Sequence, residues 1–185
     1  MLKDVYRQAS SGMRKAVEAL EGNLAVLRTS RASPALLGRV MVHAYGGQLP
    51  LQQVASITTP DVRTLSLQVW DKSLVSEVMK AIQTSDLNIN PTNTGEAILL
   101  ALPPLTEERR RDLVKSAHRQ SEEARVAVRL SRREALEKVK KLQKAGLISE
   151  DELRDSEKEI RRLHDEHIAK IEAVLKHKEK EITSG

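Results

Sequence analysis

The sequence predicts an α+β protein: a long antiparallel three-helix bundle with a small, β-rich α/β domain inserted into it. Three observations carry this. Apolar residues recur at helical spacing over three long stretches, one at the start and two in the second half. Between residues 34 and 104 that spacing gives way to alternation, punctuated by proline and glycine. Finally, hydrophobic residues are 39% and charged residues 31%, and the only aromatics are Tyr6, Tyr45 and Trp70. A thick single core leans on rings to fill it, whereas a rod needs only one apolar stripe per helix.

Residues 2–29 read as the first helix. Leu2, Val5, Ala9, Met13, Ala16, Leu20, Leu24 and Leu27 step by three and four, the narrow seam of a bundle. Pro34 cannot continue a helix and biases Ser33 toward extended backbone. Val40, Val42 and Ala44 then alternate, and Gly46-Gly47 marks a hairpin turn. Val54, Ser56 and Thr58 suggest another strand, and Leu65, Leu67 and Val69 the next, ending at Trp70. Leu74, Val78, Ala81 and Ile82 return to helical spacing. Ile98, Leu100 and Leu102 close the module after Asn93-Thr94-Gly95. Trp70 is read as the anchor of this small core, since buried rings dominate small cores. A recognition patch at Trp70-Asp71-Lys72 is the other reading.

Two long helices follow. Thr106 is placed to cap the first, with Glu107-Glu108 opposing its dipole. Leu113, Ala117, Ala124, Val128, Ala135, Val139 and Leu142 form its stripe, and Gly146 stops it. Ser149 and Glu152 have capping-box spacing and start the last helix. Its stripe is Leu153, Ile160, Leu163, Ile168, Ile171, Val174, Leu175 and Ile182. The bundle therefore takes residues 1–30 and 105–185, and the inserted domain takes 31–104. Because only two strands of chain join them, hinges are expected at Ser30, Arg31, Ala32 and Ser33 and at Pro103, Pro104 and Leu105.

The net charge is +5, but its placement says more. Residues 31–104 carry five basic and five acidic side chains, while residues 106–145 carry 13 basic against seven acidic. Arg125, Arg129, Arg132 and Arg133 share one side of the second long stretch, and Arg109-Arg110-Arg111 opens it. A basic stripe on a rigid helix is the footprint of a nucleic-acid binder, since arginine forks suit phosphate oxygens. A solvated helix face is the plainer alternative, with Glu122 and Glu137 as neighbours to pair with.

Little else suggests chemistry. Cysteine is absent, which excludes disulfides, thiolate metal sites and cysteine nucleophiles. His164 and His167 sit three apart on a helix, but no further ligands stand at a clear spacing. Gly46-Gly47 lacks the lysine and hydroxyl of a phosphate loop. No Ser/His/Asp set can be assembled, so no enzyme, cofactor or small-molecule substrate is expected. No apolar run approaches the ~20 residues of a membrane span, and a soluble cytoplasmic protein is expected.

The motifs resemble a family end to end: the ribosome recycling factors. The resemblance rests on Leu27-Arg28-Thr29-Ser30-Arg31-Ala32-Ser33-Pro34, on Tyr45-Gly46 with Pro50-Leu51, and on Asp71-Lys72-Ser73. Pro103-Pro104-Leu105-Thr106-Glu107-Glu108-Arg109-Arg110, Glu123-Ala124-Arg125-Val126-Ala127-Val128-Arg129 and Arg132-Arg133 are its most specific parts. It implies an L-shaped monomer, similar to tRNA in outline. It also implies a factor that splits the post-termination ribosome together with elongation factor G and GTP, and that does no covalent chemistry itself. It implies that Arg110, Arg125, Arg129, Arg132 and Arg133 meet large-subunit RNA on the intersubunit face. A helical RNA-binding or scaffold protein of the same fold, without recycling activity, is the competing expectation. The chain departs from the family pattern at Ser30 and Asn88, where the family carries glycine, and at Leu99, where it carries arginine.

Overall fold

The computed structural model describes residues 1–27 and 31–184. The chain divides into two compact units: Met1–Leu27 with Glu108–Ser184, and Arg28–Glu107. The hinge position Ser30 lies outside the described residues.

The first unit is three long helices. Helix α1 runs Leu2–Ala25 and buries Val5, Ala9, Met13, Val17, Leu20 and Leu24. The second helix of this unit spans Glu107–Lys144 and the third Glu150–Thr183. Between them Gly146 takes φ +73°, open to glycine without strain. The Leu147 N–H donates to Leu142 O and the Gly146 N–H to Gln143 O, both at 2.9 Å. That is a Schellman stop, which satisfies carbonyls the helix end would otherwise orphan. Ser149 restarts the chain with its hydroxyl accepting from the Glu152 N–H, while the Glu152 carboxylate accepts from the Ser149 N–H at 2.7 Å.

The unit's core has two segments. Met13, Val17, Leu20 and Leu24 meet Ala117, Ala124, Val128, Leu163, Ile171 and Leu175 in one. Val5, Ala9, Ala135, Val139, Ile148 and Ile160 form the other. The seams hold more polar residues than the apolar stripes foretell: Ser121, Ser156, His167 and Lys178 are buried. Ser156 takes a 2.8 Å hydrogen bond from the Tyr6 hydroxyl and donates to Glu152 O. A His167 ring nitrogen lies 2.6 Å from Leu163 O. The Ser121 hydroxyl is fully enclosed without a hydrogen-bond partner. A buried orphan hydroxyl costs about 1–3 kcal/mol, and alanine is the better helix former. Ser121→Ala should therefore stabilise the bundle by about 1 kcal/mol, read as a higher urea midpoint at unchanged slope. A lower midpoint would show that the hydroxyl is satisfied in solution.

The second unit builds outward from its hairpin. Strands β1 (Met41–Ala44) and β2 (Gly47–Pro50) pair antiparallel, with Ala44 opposite Gly47. The two-residue turn is thus Tyr45-Gly46, one residue earlier than Gly46-Gly47, with φ +52° and +78°. Strands β3 (Ala55–Asp61), β4 (Thr64–Val69), β5 (Pro91–Asn93) and β6 (Ile98–Ala101) form a sheet in the order β3-β4-β6-β5. Both prolines of this sheet, Pro60 and Pro91, fall on its edge strands, where a missing N–H is tolerated. Helix α2 (Val75–Gln83) packs on β1. Asn88 takes φ +51°, a left-handed geometry that asparagine tolerates better than most residues.

Two expectations for this unit are corrected. In β3 the inward residues are Ala55 and Ile57, paired with Val69 and Leu67, not Ser56 and Thr58. Trp70 does not anchor the core but is 65% exposed, and Tyr45 is 76% exposed. Leu37, Leu51, Leu65, Leu67, Ile82, Ile98 and Leu100 fill the interior without any ring. The reason is the pleat: with Leu65 and Leu67 inward, residue 70 falls on the outward phase.

Candidate nucleic-acid interface

In chain order the long helices Glu107–Lys144 and Glu150–Thr183 are α3 and α4. The α3 helix is continuous, so the positions of its arginines follow from 3.6 residues per turn. Arg125 and Arg132 border the buried seam of Ala124, Val128 and Ala135, and Arg129 and Arg133 lie further out on exposed surface. These four span about 12 Å of the axis. Arg110 stands 15 residues before Arg125 on α3, about 22 Å away, and is not brought into the group. Val126 and Leu130, 53% and 44% exposed, flank the outer arginines on the same exposed side. The face is thus cationic with aliphatic patches, not a uniform charge strip.

The arginines are not equivalent. The Arg125 side chain is 19% exposed, and its Nε donates to a Glu172 carboxylate oxygen on α4 at 2.7 Å. An Arg125 terminal nitrogen donates to Glu122 at 2.9 Å, and Arg129 reaches the other oxygen of Glu122 at 3.0 Å. Hydrogen bonds from Arg125, then from Arg129, hold the Glu122 carboxyl below the ordinary carboxylate range. The bridge is therefore complete above that range and is lost only as pH falls through the lowered value. Bonding to Glu172, then to Glu122, raises Arg125 above its already high ordinary value. Arg132 is half-buried, and its Nε–H is enclosed with no hydrogen-bond partner. Arg133 is exposed and, among the described residues, carries no ion pair.

The described hinge residues belong to the small unit's fabric. Ala32 is buried in its core and donates its N–H to Val62 O at 2.6 Å. Ser33 caps the short 3-10 turn over Pro34–Leu37. Arg31, Pro103 and Pro104 are exposed and Leu105 is half-buried.

A second surface lies on the small unit. The Tyr45 hydroxyl donates to Asp71 Oδ2 at 2.9 Å, and Asp71 Oδ1 accepts from the Ser73 N–H and hydroxyl at 3.0 and 2.7 Å. These bonds lower the Asp71 carboxyl, with Ser73 the larger influence. Two of the chain's three aromatics are thus exposed, Tyr45 bonded to this carboxylate and Trp70 next to it in sequence, in a composition common at contact surfaces. The His164–His167 pair gathers no third ligand: no cluster of three metal-binding side chains occurs among the described residues.

The profile of the ribosome recycling factor family matches residues 20–183. The chain belongs to the ribosome recycling factor family. It is 50% identical over 181 residues to the ribosome-recycling factor of Thermus thermophilus, covering 98% of each chain. It is 48% identical to that of Deinococcus radiodurans, covering 98% of this chain and 97% of the other. A solution structure of a ribosome recycling factor matches with TM-score 0.71 at 44% identity, over 100% of this chain and 98% of that one. A second matching structure sets the Thermus thermophilus ribosome recycling factor and Escherichia coli elongation factor G on the E. coli post-termination complex. It has TM-score 0.62 and 50% identity over 98% of both chains. The family is one of ribosome-recycling factors, not of enzymes. No helix among the described residues is long and apolar enough to cross a membrane.

Proposed function

We propose that this chain recycles ribosomes after termination: with elongation factor G and GTP it splits the post-termination complex in the cytoplasm. The observation that carries the reading is the end-to-end match to ribosome-recycling factors, at about half identity, in a chain that keeps the arginine face of α3. In this reading Arg110, Arg125, Arg129, Arg132 and Arg133 belong to the surface turned to large-subunit RNA between the subunits. The factor supplies a rigid rod, and GTP hydrolysis by its partner supplies the energy.

Motion follows from topology. The chain passes between its two units only twice, near residues 28–33 and 103–107. The inserted unit carries five basic and five acidic residues across 31–104, so no strong net field pins it. We take these passages, Ser30–Ser33 and Pro103–Leu105, as hinges through which the translocase acts.

The test is polysome breakdown with purified elongation factor G and GTP. Rapid conversion to single ribosomes or subunits is expected, and binding without splitting would leave only a scaffold of this fold. The chain has no cysteine, so one introduced pair can link the units cleanly. The linked protein should bind ribosomes within about twofold of wild type and fail to split them until reduced. Normal splitting by the linked form would remove the hinge from the mechanism.

A further inference from the structure

Of the four clustered arginines, Arg125 alone is both mostly buried and bonded to carboxylates on two helices. Its side chain is mostly buried. Its Nε and one terminal nitrogen are bonded at 2.7 and 2.9 Å to carboxylates on two different helices. A phosphate approaching either bonded nitrogen would have to displace Glu172 or Glu122, and would find a side chain that is mostly covered. Glu122 in turn uses its second oxygen on Arg129 at 3.0 Å. The chain of contacts therefore runs from Glu172 on α4 through Arg125 to Glu122 and ends on Arg129, whose side chain is 49% exposed. An arginine fork held by a carboxylate loses less rotamer freedom when it meets a phosphate.

We infer that Arg125 is a positioning residue and not an RNA ligand. Tied to Glu172 and Glu122, it fixes Glu122, which aims Arg129 outward, and the phosphate contacts of this face fall to Arg129, Arg132 and Arg133. This rests on the RNA-facing reading of α3 proposed above.

Counterion release separates the roles. Each phosphate contact contributes about 0.7–0.9 to the slope of log affinity against log salt. Affinity for purified ribosomes is measured over a salt series for wild type, Arg125→Gln, Arg129→Gln, Arg133→Gln and Glu172→Gln, each first shown to be folded by circular dichroism. Arg129→Gln and Arg133→Gln should each reduce the slope by about one contact. Arg125→Gln should weaken binding about threefold to fivefold while the slope stays at the wild-type value. Glu172→Gln, which frees an Arg125 donor, should behave like Arg125→Gln. A ligand role for Arg125 predicts the opposite: Arg125→Gln loses a unit of slope, and Glu172→Gln binds more tightly. Either result overturns the inference. So does an Arg125→Gln protein with wild-type affinity, which would make the bridge purely structural. If Arg129→Gln and Arg133→Gln also leave the slope untouched, the RNA-facing reading falls together with this one. A change at those two together with a change at Arg125 sinks this inference alone.

Discussion

Ile171→Ala should cost the bundle about 3–4 kcal/mol, and Ile171→Val about 1 kcal/mol. The size follows from what surrounds the side chain. Ile171 is fully buried among Met13, Val17, Leu20, Leu24, Leu163 and Leu175. Across from them α3 offers smaller side chains, Ala117, Ala124 and Val128. Alanine methyls let the helices approach closely, but they cannot swing into a void. The large side chains of α1 and α4 are therefore the filling, and removing one leaves a cavity that the neighbours cannot close. Each cubic ångström of residual cavity costs about 24 cal/mol on top of the lost burial. The measurement is a urea titration followed by circular dichroism, where the midpoint should fall at constant slope. The melting temperature should drop by about 10 °C, at about 2–4 °C per kcal/mol for a chain of this size. A loss below about 1 kcal/mol would mean that the bundle collapses into the space, and that its packing is looser than this seam describes.

The long helices were legible because a bundle seam leaves a periodic trace. Val5, Ala9, Met13, Leu20 and Leu24 step as they must, and Ser149 with Glu152 names its own helix start. What periodicity missed are the polar members of the seams. Ser121, Ser156, His167 and Lys178 occupy inward positions that an apolar count skips. Lys178 lies in the seam with its head reaching Leu27 O and Glu181, each at 3.4 Å. The hairpin turn slipped by one because two adjacent glycines outweighed the pairing register, and only the ladder shows that Gly47 is already in β2. Trp70 was misread although the alternation held the answer. Leu65 and Leu67 face inward, so the even-numbered position just past that strand continues the outward phase, whatever its side chain. At the interface, the arginines were visible as a stripe, and Glu122 as a local neighbour. Glu172 was not, since it is 47 residues from Arg125 and meets it only once α3 and α4 pack.

Arg132→Ala should weaken ribosome binding by about 1–3 kcal/mol, roughly fivefold to 150-fold, while changing stability by less than about 0.5 kcal/mol. The split comes from the side chain's position at the border of the seam. Its stem is half-buried, so truncation removes some packing. Its Nε–H is enclosed and unpartnered in the free protein, so truncation also removes a donor held at a cost. The two effects oppose each other in the folded chain and largely cancel. On the ribosome only the first sign remains. A guanidinium without a carboxylate partner, among the described residues, has nothing to give up when it meets a phosphate oxygen. The bond gained there is charge-assisted. Arg129 differs, because it must loosen its bond to Glu122 to turn fully to RNA. Arg132→Ala should therefore cost more than Arg129→Ala at equal salt, and Arg132→Lys should recover the salt slope but only part of the affinity, since an ammonium cannot chelate as a fork does. Ribosome pelleting or fluorescence anisotropy, beside a urea melt of each variant, gives both numbers. An Arg132→Ala protein with wild-type affinity, or one whose weaker binding tracks a loss of fold, would remove Arg132 from the contact set.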